Sequence, residues 1–403
     1  MLSALSASGL VASLLWTAAH ASTGMLFVSS YSGKVTTLGF SACSSSSAGA
    51  AGVPKLETVS STDGCAGSPS WLTLDHGRST LFCVDEGLQA GGGSLSSFRT
   101  NADGSLATLG RLSTPPGPVS GALYGPRNGG LAVAHYGGSA LSTWDVSDAA
   151  KMTPAQTETF RFTKPAGDAA RQTAPHPHQA VLDPTGKFLA VPDLGADEVR
   201  LFAVGSANLT ATPLAPVAVA PGSGPRHVAF AVKGDKTFMY LVTELASTIV
   251  GFRVTYPAGG IKLEELWTMG AHGRDKPVPK SAYASEIVIS PDHNFAVVSS
   301  RNEGNLSVPN FDAGNSTALP SDPIINFAID AATGALGAMQ EVPAGGRYPR
   351  QFSMNKAGTL LAVGLQKDGR VVLMRRDPRS GRLGEFAGYA ELAGQVTSVI
   401  FNE

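Results

Sequence analysis

"HQAVLDPTGKFLAVPDLGADEVRLF", residues 178–202, contains an apolar run, a turn with glycine, a second apolar run, a Gly/Asp turn and a third, alternating run. This order predicts three antiparallel strands with tight connections. The pattern returns at 226–252, 285–311 and 350–374, and in weaker form at 70–98 and 120–146. The chain is therefore built by repeating one sheet-forming unit.

The spacing of the copies selects the architecture. The copies begin at residues 70, 120, 178, 226, 285 and 350, so the intervals are 50, 58, 48, 59 and 65 residues. Such intervals fit propeller blades of about four strands with variable loops. Residues 24–40 supply a partial unit, and 394–401 supply a lone strand that resembles its missing piece. We therefore predict an all-β, seven-bladed β-propeller in which N- and C-terminal strands share one blade. A β-sandwich would not repeat this pattern, and a solenoid would use shorter coils.

The composition agrees with an all-β protein and limits the partners. The 403 residues include 47 Gly and 26 Pro, with 43% hydrophobic and 15% charged residues. Turn formers in these numbers favour strands over helices. The net charge of −1 gives no reason to expect nucleic acid or a membrane as partner. Nothing in the composition selects an oligomeric state.

The first 21 residues predict a secretory signal peptide, followed by one propeller domain at 22–403. Met1–Ala21 is apolar and ends in an A-x-A-like cleavage pattern at Ala19–Ala21. No Lys or Arg precedes Lys34, so the usual basic segment is missing, and a buried first strand or a misassigned start is the alternative. With a signal, the protein is expected to be secreted.

If the protein is secreted, its sequons can carry glycans and its cysteines can form a disulfide. We expect N-glycosylation at Asn208, Asn305 and Asn315, which begin N-x-[ST] sequons. The three cysteines predict one disulfide and one free thiol. Because Cys43 and Cys65 bracket a Ser/Gly/Ala-rich segment, we expect them to pair, with Cys83 free and buried within "LFCVDE".

Antiparallel geometry gathers polar residues at one mouth of the channel. The start of the first strand and the end of the second lie at the same edge of each sheet. Second-strand residues at this edge are Ser30, Glu86, His135, Asp193, Glu244, Ser300 and Leu365, with Arg301 and Asn302 just beyond. First-strand residues there are Ser70, Ser120, His178, Arg226, Ser285 and Arg350. Propellers bind ligands where such loops converge.

The motifs "PHPHQAVLDPTGKFLAVPDLGAD", "GPRHVAF", "YLVTEL" and "SSRNEGNLSV" resemble the seven-bladed propeller lactonase family. That family groups bacterial 6-phosphogluconolactonases with the fungal 3-carboxy-cis,cis-muconate cyclase. The resemblance covers nearly all of the chain after residue 21. It implies an active site at His178, Glu244, Arg226 and Arg301. The signal peptide and the cysteine-bounded segment at 43–65 depart from the cytosolic members.

These residue types suggest a chemistry for a small anionic lactone or carboxylic acid. Arginine holds carboxylates bidentately, and histidine transfers protons near neutral pH. We expect His178 and Glu244 to act as general acid and base and Arg226 and Arg301 to bind anionic groups. The other expected substrate-binding residues are Asn302, Arg350 and Asp193. These roles suit either lactone hydrolysis or cycloisomerisation.

We expect no metal or other cofactor. His176 and His178 are two residues apart, as in some metal sites, but Pro177 separates them and no further ligand cluster has suitable spacing. His176 is expected to bond a backbone carbonyl, and such a role is also the alternative for His178. Asp183 and Asp292 are expected to form turns. The alternative function is a secreted, non-catalytic propeller that binds a carbohydrate or protein.

Overall fold

Short apolar runs separated by turns form strands throughout the chain. The computed structural model describes residues 22–42, 53–89, 91–205 and 209–403. The predicted signal peptide, Cys43 and Asn208 lie outside these residues. No helix among the described residues has the length and apolar character needed to cross a membrane.

The strands are numbered in chain order. The first sixteen are β1 (Ser22–Ser30), β2 (Lys34–Ala42), β3 (Glu57–Thr62), β4 (Pro69–Asp75), β5 (Thr80–Asp85), β6 (Gly93–Thr100), β7 (Leu106–Thr114), β8 (Pro118–Tyr124), β9 (Gly130–His135), β10 (Ala140–Asp145), β11 (Thr153–Thr159), β12 (Val181–Leu182), β13 (Phe188–Asp193), β14 (Glu198–Val204), β15 (Ala211–Pro213) and β16 (Val217–Ala218). The others are β17 (Pro225–Lys233), β18 (Lys236–Thr243), β19 (Thr248–Thr255), β20 (Lys262–Gly270), β21 (Tyr283–Ile289), β22 (Phe295–Arg301), β23 (Leu306–Pro309), β24 (Ala318–Ser321), β25 (Pro323–Ile329), β26 (Leu336–Pro343), β27 (Pro349–Met354), β28 (Leu360–Leu365), β29 (Arg370–Arg376), β30 (Leu383–Glu391) and β31 (Val396–Phe401). Short 3-10 helices lie at His76–Arg78, Pro126–Asn128 and Gln366–Asp368.

The described strands form seven antiparallel blades. Blade 1 has the order β31-β1-β2-β3 from the channel outwards, and blades 2 and 3 comprise β4–β7 and β8–β11. Blade 4 comprises β12–β15, with β16 also paired to β14, and blade 5 comprises β17–β20. Blade 6 has the order β21-β22-β25-β26, with the hairpin β23-β24 inserted, and blade 7 comprises β27–β30.

The C-terminal strand closes the propeller, as predicted. β31 pairs with β1 in antiparallel register, with Leu26 opposite Phe401 and Ser29 opposite Ser398. It occupies the innermost position of blade 1, which the first strand takes in every other blade. The seven-bladed fold with shared terminal strands is therefore confirmed.

The hydrophobic core lies between the blades. Each of seven apolar clusters joins two neighbouring blades, as where Phe238 and Tyr240 of blade 5 pack with Ile325 and Phe327 of blade 6. Second strands such as β5, β9 and β28 are buried at every residue because blades cover both of their faces. Burying one large apolar side chain contributes about 1.5 to 3 kcal/mol, so each cluster holds its blades firmly together.

A ring of hydrogen bonds joins the innermost strands around the channel. At each junction a side chain in or next to one innermost strand bonds the backbone in or next to a neighbouring innermost strand, and we call this set the inner ring. Its bonds are Ser70 Oγ to Pro118 O (2.7 Å), Ala180 N to Ser120 Oγ (3.3 Å), Val228 N to Gln179 Oε1 (2.7 Å), Arg226 Nη1 to Ser285 O (2.8 Å), Ser285 Oγ to Arg350 O (2.7 Å), Val399 N to Gln351 Oε1 (2.6 Å) and Thr397 Oγ1 to Pro69 O (2.7 Å). All seven junctions are bridged in this way.

Asp183 and Asp292 form turns, as predicted. The Asp183 carboxylate accepts hydrogen bonds from the backbone N–H groups of Thr185, Lys187 and Phe188. Asp292 accepts from the Ser290 hydroxyl and the Asn294 N–H. Both acids therefore stabilise the connection between a first and a second strand.

The disulfide differs from the prediction. Cys65 is bonded to Cys83, with 5.9 Å between their Cα atoms, so the predicted Cys43–Cys65 bridge and free Cys83 are wrong. Cys65 lies in the connection before β4, and β4 pairs with β5, which carries Cys83. The fold brings the two together inside the apolar cluster between blades 1 and 2. The apolar neighbours of Cys83 thus reflect a buried half-cystine.

Peptide mapping tests this disulfide. We expect mass spectrometry of the unreduced protein to recover a peptide that links Cys65 to Cys83, and a Cys43–Cys65 peptide would contradict the assignment. A bridge across 18 residues restricts the unfolded chain. The double variant C65A/C83A should therefore lose about 3 kcal/mol in free energy of unfolding, measured in urea. C43A serves as the control.

Candidate functional site

β-Bulges at the starts of the first strands place the site residues. In blades 5 and 7 the register shifts between Pro225 and His227 and between Pro349 and Gln351. The skipped residues are Arg226 and Arg350. A bulge redirects the side chains beside it, and each of these arginines lines the channel next to the residue that follows it. Simple alternation along a strand would have sent one of each pair into the core.

Glu244 is the centre of a charge cluster. It directly follows β18, where its N–H donates to Gly224 O (2.7 Å). Its Oε2 lies 2.9 Å from Arg226 Nε and 2.8 Å from Arg301 Nη2, and its Oε1 lies 3.0 Å from Arg171 Nη2. One carboxylate thus pairs with three guanidinium groups. Two of these groups belong to blades 5 and 6, and the third lies in the connection before blade 4.

Burial and charge set the protonation of this cluster. Burial acts to raise the pKa of Glu244, but Arg301 and Arg226 together hold it at about 2. Burial, reinforced by the positive charge of Arg301, lowers the pKa of Arg226 to about 9. Glu244 is therefore a carboxylate at neutral pH with both oxygens engaged. This geometry disfavours the expected acid/base role and makes Glu244 the anchor of the arginines.

His178 lies beside this cluster in a narrow space at the channel. The space is lined by Trp71, Val119, His178, Arg226, His227, Arg350, Gln351 and Thr397. The His178 Nδ1 atom lies 3.2 Å from His227 Nε2, and its ring packs edge-on to Tyr136. Burial, together with Arg226, holds the pKa of His178 well below 6.5, so the ring is neutral at neutral pH.

His227 and Glu286 are site residues that the sequence analysis missed. The His227 Nδ1 atom lies 2.7 Å from Glu286 Oε1, which also accepts the Ile287 N–H (3.0 Å). Both side chains are buried, and His227 lines the same space as His178. Each directly follows a first-strand residue that the repeat had placed at the mouth, namely Arg226 and Ser285. A histidine next to an arginine was the available signal, but the bulge that turns both side chains towards the channel is not visible in the sequence.

Arg171 is the third missed residue. It belongs to the connection between β11 and β12, which the neighbouring Gln172 anchors through bonds from Nε2 to Leu194 O (2.8 Å) and Asp197 Oδ1 (2.7 Å). The side chain of Arg171 is 41% exposed, whereas that of Arg226 is 2% exposed. Arg171 is thus the arginine of the Glu244 cluster that faces solvent.

Arg350 forms another part of the wall beside His178. Its Nη1 donates to the Tyr31 hydroxyl (2.9 Å) and its Nη2 lies 3.2 Å from Glu86 Oε1. The Tyr31 hydroxyl in turn donates to Glu86 (2.9 Å). Burial raises the pKa of Tyr31 to about 12, so the phenol stays protonated. Arg350 is held in place while lining the same space as His178.

Two expected substrate-binding residues lie outside this arrangement. Asp193 is fully buried, and its carboxylate accepts the N–H groups of His176, Gly195 and Ala196 and pairs with Arg200. Its expected role is therefore corrected to support of the turn after β13. The Asn302 side chain donates to Ser281 O and accepts from Lys367, and neither partner belongs to the Glu244 cluster.

The remaining predicted positions are on the surface or structural. Asn305 and Asn315 lie in exposed segments around the hairpin β23-β24, where glycosylation stays a prediction. His176 Nδ1 lies 2.8 Å from Tyr136 O, the carbonyl contact expected for it. Over the described ranges, no group of three His, Cys, Asp or Glu side chains is arranged to hold a metal ion.

The family follows from comparison with known proteins. Residues 25–401 match the family described as "Lactonase, 7-bladed beta-propeller". The chain belongs to this family. The matched range includes every residue of the mouth described above.

Named relatives agree with this assignment. The chain is 29% identical over 328 residues to "Probable 6-phosphogluconolactonase" of Arthroderma benhamiae, covering 81% of this chain and 77% of that protein. It is 24% identical to 6-phosphogluconolactonase of Bacillus subtilis, over 79% of this chain and 82% of that one. A periplasmic gluconolactonase of Pseudomonas aeruginosa has a similar structure, with a TM-score of 0.75, 25% identity and coverage of 94% and 99%.

The anchoring role of Glu244 can be measured as a pH-dependent stability. Replacing it in E244Q leaves three arginines without their carboxylate, which should cost about 3 to 5 kcal/mol at pH 7. Because folding lowers the pKa of Glu244 from 4.5 to about 2, the stabilisation is complete above 4.5 and disappears as the pH falls towards 2. Denaturant unfolding between pH 7 and pH 3 measures both effects.

The control for this experiment is a matched substitution in an exposed ion pair. Glu264 pairs with Arg253 on the surface, where both side chains are about half exposed. E264Q should change the stability by less than about 1 kcal/mol at every pH. A gap between wild type and E244Q that stays constant down to pH 3 would contradict the anchoring role.

Proposed function

We propose that this family member hydrolyses a small anionic lactone, with His178 as the general base. One observation carries the proposal: the neutral His178 lines the same narrow space as the guanidinium groups of Arg226 and Arg350. A base beside fixed positive charge suits the attack of water on a carbonyl whose oxygen becomes negative. The names of the family relatives support this reaction class.

The proposed reaction needs only water and protein groups. Nδ1 of His178 is hydrogen-bonded to His227, so Nε2 of His178 takes the proton from the attacking water. The water oxygen bonds to the carbonyl carbon, and Arg226 stabilises the charge on the carbonyl oxygen. The ring C–O bond then breaks, and the ring oxygen takes the proton from His178. The product is the open-chain hydroxy acid, and the histidine is restored.

Anion binding is proposed to begin at Arg171. Arg226, Arg301 and Arg350 are largely buried and paired, whereas the partly exposed Arg171 is held by a single ion pair. An incoming carboxylate or phosphate can therefore meet Arg171 at the mouth. The Tyr283 ring lies against the same guanidinium group, at 5.3 Å from its central carbon. A sugar lactone with one anionic group fits this description.

We further propose that the protein is secreted after cleavage near Ala21. The Cys65–Cys83 disulfide supports this, because such bonds persist in oxidising compartments. When the full chain is expressed in a eukaryotic secretory host, we expect protein in the culture medium. N-terminal sequencing should show that this protein begins at residue 22. Asn305 and Asn315 should then carry glycans that a glycosidase removes. Retention of uncleaved protein inside the cell would contradict this proposal.

A substrate panel tests the enzymatic proposal. We expect the protein to hydrolyse gluconolactone or 6-phosphogluconolactone, and we expect H178A to lower kcat by about 100-fold or more with an unchanged melting temperature. EDTA should leave the rate unchanged because the proposed groups are all side chains. H76A, on an exposed turn, is the control histidine variant.

Other results would select the alternatives. Conversion of 3-carboxy-cis,cis-muconate without lactone hydrolysis would favour the cycloisomerase reaction. Binding of carbohydrate or protein with no turnover of any lactone would favour the non-catalytic propeller. An unchanged kcat in H178A would remove this histidine from the mechanism.

A further inference from the structure

A continuous chain of three buried side chains crosses three blades beneath the mouth. His178 of blade 4 contacts His227 of blade 5 at 3.2 Å, and His227 contacts Glu286 of blade 6 at 2.7 Å. All three residues are less than one-tenth exposed. The reaction proposed above uses only the first of them.

The hydrogen bonds of this chain fix its protons. Glu286 accepts, so Nδ1 of His227 carries a hydrogen and Nε2 of His227 becomes an acceptor. Nδ1 of His178 must then carry the hydrogen that Nε2 of His227 accepts. His178 Nε2 is consequently the lone-pair nitrogen, which is the form required of a base.

The charges around the two rings are unequal. His178 is near Arg226, Arg350 and Arg301, together with the Tyr136 ring, so a positive charge on this histidine is unfavourable. His227 is close to Arg226 and Arg350 as well, but it also touches the Glu286 carboxylate and packs edge-on to Trp71. A positive charge is therefore better accommodated at the Glu286 end of the chain.

Glu286 itself has an unused acceptor. Its Oε2 is buried, and no described residue donates a hydrogen bond to it. A buried carboxylate oxygen without a donor is costly and calls for an explanation. Stability alone does not give one, since an uncharged side chain at this position would avoid burying a charge.

We propose that His227 and Glu286 are positioning residues that orient His178 and draw the proton it collects away from the arginines. This inference rests on the proposed lactonase function of the same site. As His178 Nε2 takes a proton from water, the Nδ1 hydrogen of His178 passes to His227 Nε2, and the Nδ1 hydrogen of His227 passes to Glu286. His178 and His227 end neutral and Glu286 ends protonated. The three protons return in reverse order when the ring oxygen leaves.

Substitution of Glu286 tests the relay. E286Q should lower kcat by about 100-fold while KM changes less than about 3-fold. Loss of the carboxylate makes protonation of the histidine pair harder, so the acid limb of the kcat/KM profile should move to lower pH. E286D keeps a carboxylate and should recover part of kcat. A purely structural role would lower activity without moving the limb.

The matched control is a second buried Glu–His pair in the same blade. Glu303 Oε1 lies 2.9 Å from His272 Nε2, outside the relay. E303Q should leave kcat and the pH profile within about 2-fold of wild type. If E286Q behaves like E303Q, or if E286D loses as much as E286Q, the relay is overturned.

Nitrogen NMR of the wild-type protein gives an independent test of the tautomers, in which variants serve only to assign the signals. Histidine-selective labelling should show both His178 and His227 as Nδ1–H tautomers at neutral pH, with assignment by H178A and H227Q. An Nε2–H tautomer at either histidine would overturn the relay. An active H178A combined with the expected tautomers would instead overturn the proposed function and leave the hydrogen-bonded chain in place.

Discussion

The inner ring of hydrogen bonds is the constraint on which the site depends. Each bond joins a side chain in or next to one innermost strand to the backbone in or next to a neighbouring one, so the innermost strands are held at fixed separations around the channel. Contacts between side chains of different blades, such as His178 with His227, require this spacing to hold within a fraction of an ångström. Apolar packing between blades is non-directional and could not supply that precision.

The ring and the site also share residues. Arg226 donates to Ser285 O of the next blade through Nη1 and binds Glu244 through Nε. These two contacts reduce the cost of burying so large a charged side chain, because each side of the guanidinium group has a fixed partner. The arrangement places positive charge beside His178 at a cost in solvation that Glu244 offsets. Arg226, a proposed catalytic group, is therefore also part of the scaffold.

The sequence predicts the fold well because the repeat is a global property. Seven copies with intervals near 50 to 65 residues constrain the number of blades even where single copies are weak. Antiparallel geometry also brought His178, Arg226, Glu244 and Arg301 to one mouth. The misses have local causes. The bulge at Arg226 lets His227 face the channel, and Arg171 lies in the connection 160–180, outside the strands from which the mouth was predicted.

The errors at Asp193 and the cysteines have a different origin. Asp193 sits at the edge that the repeat predicts, but its carboxylate is used by three backbone N–H groups of the adjoining turn. Position along a strand does not reveal such local bonding. Cys65 and Cys83 are joined because the pairing of β4 with β5 brings them together. The short segment between Cys43 and Cys65 led to the incorrect prediction that these two cysteines pair.

The innermost place of β31 has a consequence for synthesis on the ribosome. Residues 396–401 are translated after every other strand, yet Thr397 lies in the wall beside His178 and bonds to Pro69 O of blade 2. A nascent chain can form blades 2 to 7, but its channel stays open on one side until residue 401 has left the exit tunnel. The mouth is thus assembled only after residues 396–401 have emerged, and chains interrupted before them carry its histidines and arginines without the enclosing wall.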